Sequence, residues 1–412
     1  MHLSNELLTK LVKKYGTPLY VYDSDLIIQK YNELKSCFTW PKTRLFYAIK
    51  ANYNTTILSL LNKNGACVDA VSLGEVTLAL KTGFQKEKII FTANSLRDDD
   101  IKQGIKLGIL FNMGSLSELE RYGRINPNSN VCLRFNPNVV AGDIKTNQVG
   151  GKNSKFGIQL KDVDKVKKIV KKHNFKVIGL HEHTGSTISE VGKAYESFEN
   201  LLEIAKKQDF PDLEFLDFGG GFNVPYKPDE KQIDYKSFGK KVSRRFAEFC
   251  KEYCRELYMY LEPGRFIVAE SGHLVVRATT LKDNDGILFA GTDSGFPQLM
   301  RPAFHGSYHQ IVNLTNPDGT LKKYNVHGNI CENSDYFAFN RPIPEIREGD
   351  FLAIKTAGAY CYSMGGVYNL FPMPAEVIVE NGKDRLSRKR LTNEELANQI
   401  ITESSVEGYY EN

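Results

Sequence analysis

No stretch of this chain approaches the ~18 consecutive apolar residues that a membrane-spanning helix requires. The opening residues, Met1-His2-Leu3-Ser4-Asn5-Glu6, lack the basic-then-apolar order of a secretory leader. A cytoplasmic protein without a membrane partner is the expectation. Charge of one sign is missing too: 54 basic and 49 acidic residues give a formal net charge of +5, a mixed surface without the basic stripe that binds nucleic acid. The seven cysteines are scattered and odd in number, which fits reduced thiols better than a disulfide framework. Cys250 and Cys254, four apart in a helical-looking segment, have no second Cys/His pair nearby and read as neighbours on one helix face rather than as half a zinc site.

What is present is enough for a full core. With 412 residues, 41% of them hydrophobic, the chain should form more than one domain. Between residues 43 and 264, short apolar β-branched runs alternate with longer amphipathic ones, the βαβα pattern of a parallel sheet. Candidate strands fall at 43–48, 67–72, 89–93, 109–113, 130–137, 176–185, 213–221 and 257–264. Eight is the number that closes a (β/α)8 barrel. Between the fifth and sixth, Val163, Val166, Ile169 and Val170 recur at helical spacing with lysines elsewhere, an amphipathic helix with a solvated face. After Gly264 the texture shifts to strands at 273–280, 286–290, 310–315, 323–327, 350–357 and 375–380, which predict an antiparallel β-domain closed by a helix near 393–401 that Thr392 could cap. The expected class is α/β, a barrel over 26–265 and a β-domain over 266–412. The strand-like Leu19-Tyr20-Val21-Tyr22 could join either part, and residues 1–25 are grouped with the β-domain.

Residues at the C-terminal ends of barrel strands face the catalytic mouth. This chain puts its unusual residues there: Lys50, then Asp69 and Ser72, His181, His183 and Ser186, Gly219-Gly220-Gly221, and Glu262-Pro263-Gly264-Arg265. A lysine ending an apolar run is costly to bury as an ammonium, and desolvation lowers its pKa toward the range where it attacks carbonyls. In isolation a snorkelling lysine is the better reading. The neighbours reverse it: three glycines let backbone N–H groups approach a phosphate closely, and a carboxylate at Glu262 could hold a pyridine nitrogen protonated. His181 and His183, two apart on a strand, invite a shared metal, but no other barrel strand end offers a third histidine, so no metal is expected.

Ten motifs in register resemble the fold-type III pyridoxal-phosphate-dependent amino-acid decarboxylases, and among them most the diaminopimelate decarboxylases. They are Tyr47-Ala48-Ile49-Lys50-Ala51-Asn52, Ser72-Leu73-Gly74-Glu75, Ser154-Lys155-Phe156-Gly157, His181-Glu182-His183-Thr184-Gly185-Ser186, Gly219-Gly220-Gly221-Phe222, Glu262-Pro263-Gly264-Arg265, Arg301-Pro302-Ala303, Cys331-Glu332-Asn333-Ser334-Asp335, Gly358-Ala359-Tyr360 and Tyr368-Asn369. The resemblance implies the architecture of alanine racemase and ornithine decarboxylase, with pyridoxal 5'-phosphate as cofactor. It makes Lys50 the Schiff-base lysine, places His183 over the cofactor ring, and assigns Glu262 to the ring nitrogen. Ser186, Gly221, the backbone at Gly264 and Arg265, and the Tyr360 hydroxyl gather round the phosphate, and Asp69 and Gly220 belong to the same cofactor set. Cys331 becomes the acid that returns a proton after carbon dioxide leaves. Arg265, Arg301, His305, Glu332, Tyr360 and Tyr368 become the substrate contacts. In the family, Cys331 and Glu332 come from the partner subunit, which implies a homodimer with shared active sites.

Arg301 suits a second carboxylate on the substrate and favours meso-diaminopimelate over ornithine or arginine. The chain also departs from the family pattern. His305 stands where tyrosine is usual and Thr184 where an apolar residue is usual; 91–97 lacks the common glycine and lysine, and Leu370, Phe371 and Met373 replace basic residues. These leave the cofactor set untouched and allow a relative acting on carboxynorspermidine, a D-amino acid or another pathway intermediate. A racemase would need a second acid/base and is disfavoured by Glu262. A non-catalytic regulator would have lost Lys50 or Cys331.

Overall fold

The structure is a computed structural model that describes residues 3–140, 150–185 and 191–401. Its contacts divide the chain into two compact units, 28–225 with 231–267, and 1–27 with 226–230 and 268–412.

In the first unit, eight parallel strands close on themselves: Thr43–Ala48, Cys67–Ala70, Ile89–Phe91, Leu110–Met113, Asn130–Asn136, Lys176–Glu182, Phe215–Asp217 and Tyr258–Leu261. Pairing of the fourth with the fifth and of the eighth with the first seals the ring. Side chains on a strand alternate between faces, and that alternation builds two layers inside the barrel. The lower layer is an apolar plug that includes Phe46, Cys67, Cys132, Phe215 and Tyr260. Two residues further along the same strands, roughly 7 Å higher by strand rise, come Asp69, Arg134, Asp217 and Glu262, each at most 6% exposed. Phe46 leads by the same step to Ala48 and then Lys50. On the sixth strand a register shift opposite Val131 and Cys132 brings Gly179 and His181 into this series. Gly179 has to be glycine, since a Cβ there would lie 2.0 Å from the Phe215 ring.

The helices follow their sequence signals. Val163–His173 buries Val166 and leaves Lys165, Lys168, Lys171 and Lys172 exposed. Tyr235–Tyr253 ends at Cys254 in the left-handed conformation, so buried Cys250 and exposed Cys254 do not share a helix face as expected. The helix stops between them.

Among the described residues the second unit carries a nine-stranded sheet. Leu19–Asp23 lies inside it, antiparallel to Gly272–Asn284 and parallel to Ala375–Glu380, so the open assignment of the amino-terminal strand resolves to this unit. A second parallel pair, Ile287–Thr292 with Leu321–His327, makes the sheet mixed where a purely antiparallel one was expected. Its core packs Leu8, Leu11 and Val12 of the helix Asn5–Tyr15 on Leu19, Val21, Val275, Ala353, Val377 and Val379. The closing helix, Asn393–Asn398, is capped by Thr392, whose hydroxyl accepts the Glu395 N–H while the Glu395 carboxylate accepts the Thr392 N–H.

Candidate active site

The barrel unit collects one set of predicted residues at its mouth. Lys50 lies in a single 3-10 turn, Ile49–Ala51, directly after the first strand, and its Nζ pairs with Asp69 Oδ2. Asp69 is fully buried. Burial and the neighbouring Glu262 charge push its carboxyl up, while Lys50 pulls it down. The Lys50 side chain stays 37% exposed against 1% for Asp69, so the lysine reaches the surface of the mouth and its counter-ion does not.

His183 is held by the glycine loop. Its Nδ1 accepts the Gly220 N–H at 3.0 Å, which leaves the proton of a neutral ring on Nε2. Burial first, then the Arg134 and Lys50 charges, hold this imidazole well below its ordinary pKa. A Cβ at Gly219, where φ is +62°, would lie 2.5 Å from that same Nδ1, and one at Gly220 would lie 2.3 Å from the Glu262 carbonyl. Side chains are therefore excluded from the loop by the two residues it serves. Gly221 also has a positive φ, +97°.

Below the mouth, His181, Asp217 and Glu262 bring one candidate donor atom each within 4.8 Å of the others. His181 Nε2 is 3.4 Å from Glu262 Oε2, and Asp217 Oδ1 accepts the Gly219 N–H at 3.0 Å. Burial pushes both carboxyls up, Asp217 further through the Glu262 charge, while Lys50 and Arg134 oppose the shift at Glu262. Apart from the contact between the two carboxyls, which also lowers Glu262, Glu262 Oε1 and Asp217 Oδ2 are buried with no N–H or O–H donor from another residue. Such orphaned acceptors are costly and fit a cationic N–H, as a protonated pyridine provides. The two histidines thus diverge, His183 to the glycine loop and His181 to the carboxyl pair. Gly264 and the buried Arg265 follow the eighth strand, with Arg265 opening the short helix Arg265–Val268. Ser186 lies outside the described residues.

Asp217 and Arg134 were not singled out from sequence. Each is a lone charge within an otherwise apolar strand, in Phe215-Leu216-Asp217 and Val131-Cys132-Leu133-Arg134-Phe135, and that anomaly is the signal that would have found them.

The second unit carries the other set. Arg301 is buried and starts the five-residue helix Arg301–His305, so the half-buried His305 lies one turn on. Cys331 and Glu332 are exposed on a loop that Asp335 staples, its carboxylate accepting the Phe296 N–H at 2.6 Å and the Ile330 N–H at 3.1 Å. Cys331 Sγ donates to Asn369 Oδ1 at 3.5 Å, joining the Cys-Glu and Tyr-Asn motifs. Tyr368, 50% exposed, stacks on Phe296, with ring centroids 6.1 Å apart. Tyr360 has φ +56°, strained for a non-glycine residue. Gly358 before it admits no side chain, because a Cβ would lie 1.7 Å from the Val268 carbonyl oxygen.

Residues 24–269 match the family described as pyridoxal-dependent decarboxylase, pyridoxal binding domain. The chain belongs to the pyridoxal-dependent decarboxylases. It is 39% identical to the diaminopimelate decarboxylase of Methanothermobacter thermautotrophicus over 94% of this chain and 92% of that one, and 33% identical to the Escherichia coli K12 enzyme over 96% of each. The solved diaminopimelate decarboxylase of Helicobacter pylori complexed with L-lysine superposes with a TM-score of 0.87 at 31% identity, covering 95% of this chain and 99% of that one. As a member of this family the protein is a carboxy-lyase that uses pyridoxal 5'-phosphate. Among the described residues no helix is long and apolar enough to cross a membrane.

Proposed function

We propose that this protein decarboxylates meso-diaminopimelate to L-lysine and carbon dioxide, as a cytoplasmic homodimer whose active sites are shared between subunits. The single observation that carries the substrate choice is Arg301. Its guanidinium is buried at 4% exposure, and no carboxylate among the described residues pairs with it. A buried cation left without a counter-ion is costly, and a substrate with a second carboxylate supplies one. The relatives that bear the diaminopimelate decarboxylase name support the same reading. Seven free cysteines fit a reducing compartment.

Pyridoxal phosphate, when bound, supplies the electron sink that accepts the bonding pair of the departing carboxylate. Lys50 Nζ is the amine that would hold it, and Asp69 keeps that amine oriented. Glu262, with Asp217 behind it, would stabilise a proton on the ring nitrogen. His183 offers a neutral imidazole face, fixed by Gly220. The N–H groups of Gly221, Gly264 and Arg265, with the hydroxyls of Ser186 and Tyr360, are the proposed phosphate ligands, while the Gly220 N–H is taken by His183. Cys331 Sγ delivers the proton that replaces carbon dioxide. Arg301 and Arg265 take the distal carboxylate, Glu332 the distal amine, and His305 and Tyr368 line that end.

The test is a panel of purified-enzyme assays reading carbon dioxide release from meso-diaminopimelate, D- and L-lysine, D- and L-ornithine, arginine and carboxynorspermidine. Turnover of diaminopimelate well above the others is expected. Turnover of another substrate without diaminopimelate would overturn the substrate and leave the family intact.

A further inference from the structure

Arg301 is held by neutral groups. Its Nη1 lies 3.1 Å from His309 Nε2, its Nη2 donates to Ser307 Oγ at 3.2 Å, and its guanidinium carbon sits 4.4 Å from the centroid of the Tyr226 ring. Tyr226 also packs edge-on against the His309 ring at 5.3 Å. His309 is fully buried, and its Nδ1 lies 2.9 Å from the Lys355 carbonyl oxygen. A carbonyl only accepts and a guanidinium only donates. The His309 ring is thereby fixed in one tautomer, with the proton on Nδ1 and the lone pair of Nε2 aimed at Arg301. The main chain is pinned too, since Arg341 Nη1 donates to the His309 carbonyl at 2.7 Å.

We propose that His309 is a positioning residue for substrate specificity: it fixes the Arg301 fork for a distal carboxylate while leaving the full positive charge available. This rests on the diaminopimelate reading above. The physical reason is a choice between ways of holding a buried arginine. A carboxylate in the place of His309 would orient the fork equally well, but it would neutralise the charge and compete with the substrate for the same N–H groups. A neutral imidazole, a hydroxyl and an aromatic face orient it without cancelling it. Two of the five guanidinium N–H groups are used in these contacts, and three remain for an incoming anion. Nothing in this arrangement touches the reacting carbon, so its loss should appear in substrate binding rather than in the chemical step.

The experiment compares His309→Leu, His309→Gln and Arg301→Ala as holoenzymes, with thermal unfolding and the visible cofactor spectrum as checks on folding and loading. Leucine removes the acceptor. It is expected to raise the KM for meso-diaminopimelate by about tenfold or more while kcat stays within about threefold, and to weaken competitive inhibition by L-lysine, which keeps the distal carboxylate, in step. Glutamine can place Oε1 where Nε2 stood and should restore KM to within about threefold of the parent. The positioning role is overturned if leucine leaves KM unchanged while Arg301→Ala raises it, or if leucine lowers kcat and KM effects do not respond to glutamine. If Arg301→Ala itself leaves KM for diaminopimelate unchanged, the substrate reading beneath the proposal fails instead.

Discussion

Glu182, between the two histidines, points to the opposite face of its strand and meets hydroxyls. Its Oε2 accepts from Ser197 Oγ at 2.5 Å and from Thr184 Oγ1 at 3.1 Å, which gives Thr184 a role in place of the usual apolar residue. Burial pushes this carboxyl up to about 8. The sign follows from linkage. Below about pH 4.5 the group is protonated whether the chain is folded or not. Between there and about pH 8 the unfolded chain releases the proton and the folded one keeps it, so stability falls as pH rises, then levels. Glu182→Gln removes this titration. Its Tm relative to the parent should therefore climb from pH 5 to pH 8 in paired melts, and a difference independent of pH would contradict a buried neutral acid. Lys50→Ala should leave no borohydride-reducible cofactor and cut kcat by about a thousandfold or more; reducible cofactor with near-normal turnover would remove the central assignment. The placement of Lys50, His183 and Glu262 at the barrel mouth was legible because they follow strand ends within the motifs. Asp217 and Arg134 were not, since their importance comes from strand register, which brings His181 opposite both.

Among whole elements, the loop from Gly328 to Asp335 depends on one carboxylate. Asp335 receives the Phe296 and Ile330 N–H groups, its main chain exchanges hydrogen bonds with Gly328 and Glu332, and a Cβ on Gly328 would lie 2.2 Å from its Oδ2. Hydrogen bonds to a charged acceptor contribute roughly 1.5–3 kcal/mol each. Asp335→Ala should free the loop bearing Cys331 and lower kcat by about tenfold or more. Asp335→Asn keeps an acceptor for one N–H and turns a donor on the other, and should fall between; steady-state kinetics on the three proteins checks the order, and equal kcat values would refute it. The barrel strands were readable because each is an apolar run bounded by turns. Tyr336–Pro344 was missed because Pro342 and Pro344 and polar residues interrupt its alternation, and Lys383–Arg388 because an edge strand of lysine, arginine and aspartate carries little apolar signal. The mixed pairing of the sheet was equally out of reach, since strand direction depends on connections across hundreds of residues rather than on local pattern.

For the whole molecule, the exposure of Cys331 is the informative feature. In the role proposed for Cys331, a thiol that protonates a carbanion works best shielded from bulk water, yet Cys331 and Glu332 are exposed on this chain, with Val367, Tyr368 and Leu370 on the motif that meets Cys331 exposed at 39%, 50% and 53%. A second copy covering this face, as the shared-site proposal requires, would shelter both the thiol and the apolar residues. That arrangement makes a quantitative prediction. Lys50→Ala and Cys331→Ala each disable every site when expressed alone. Co-expressed in equal amounts and assembling at random, about half the dimers contain one of each, and in those one site combines an intact Lys50 with an intact Cys331 while the other has lost both. Activity should return to about a quarter of the parent level, with the mixed dimer isolated through distinct affinity tags carrying all of it. If Cys331 instead serves the Lys50 of its own chain, every site in the mixture lacks one residue and no activity returns.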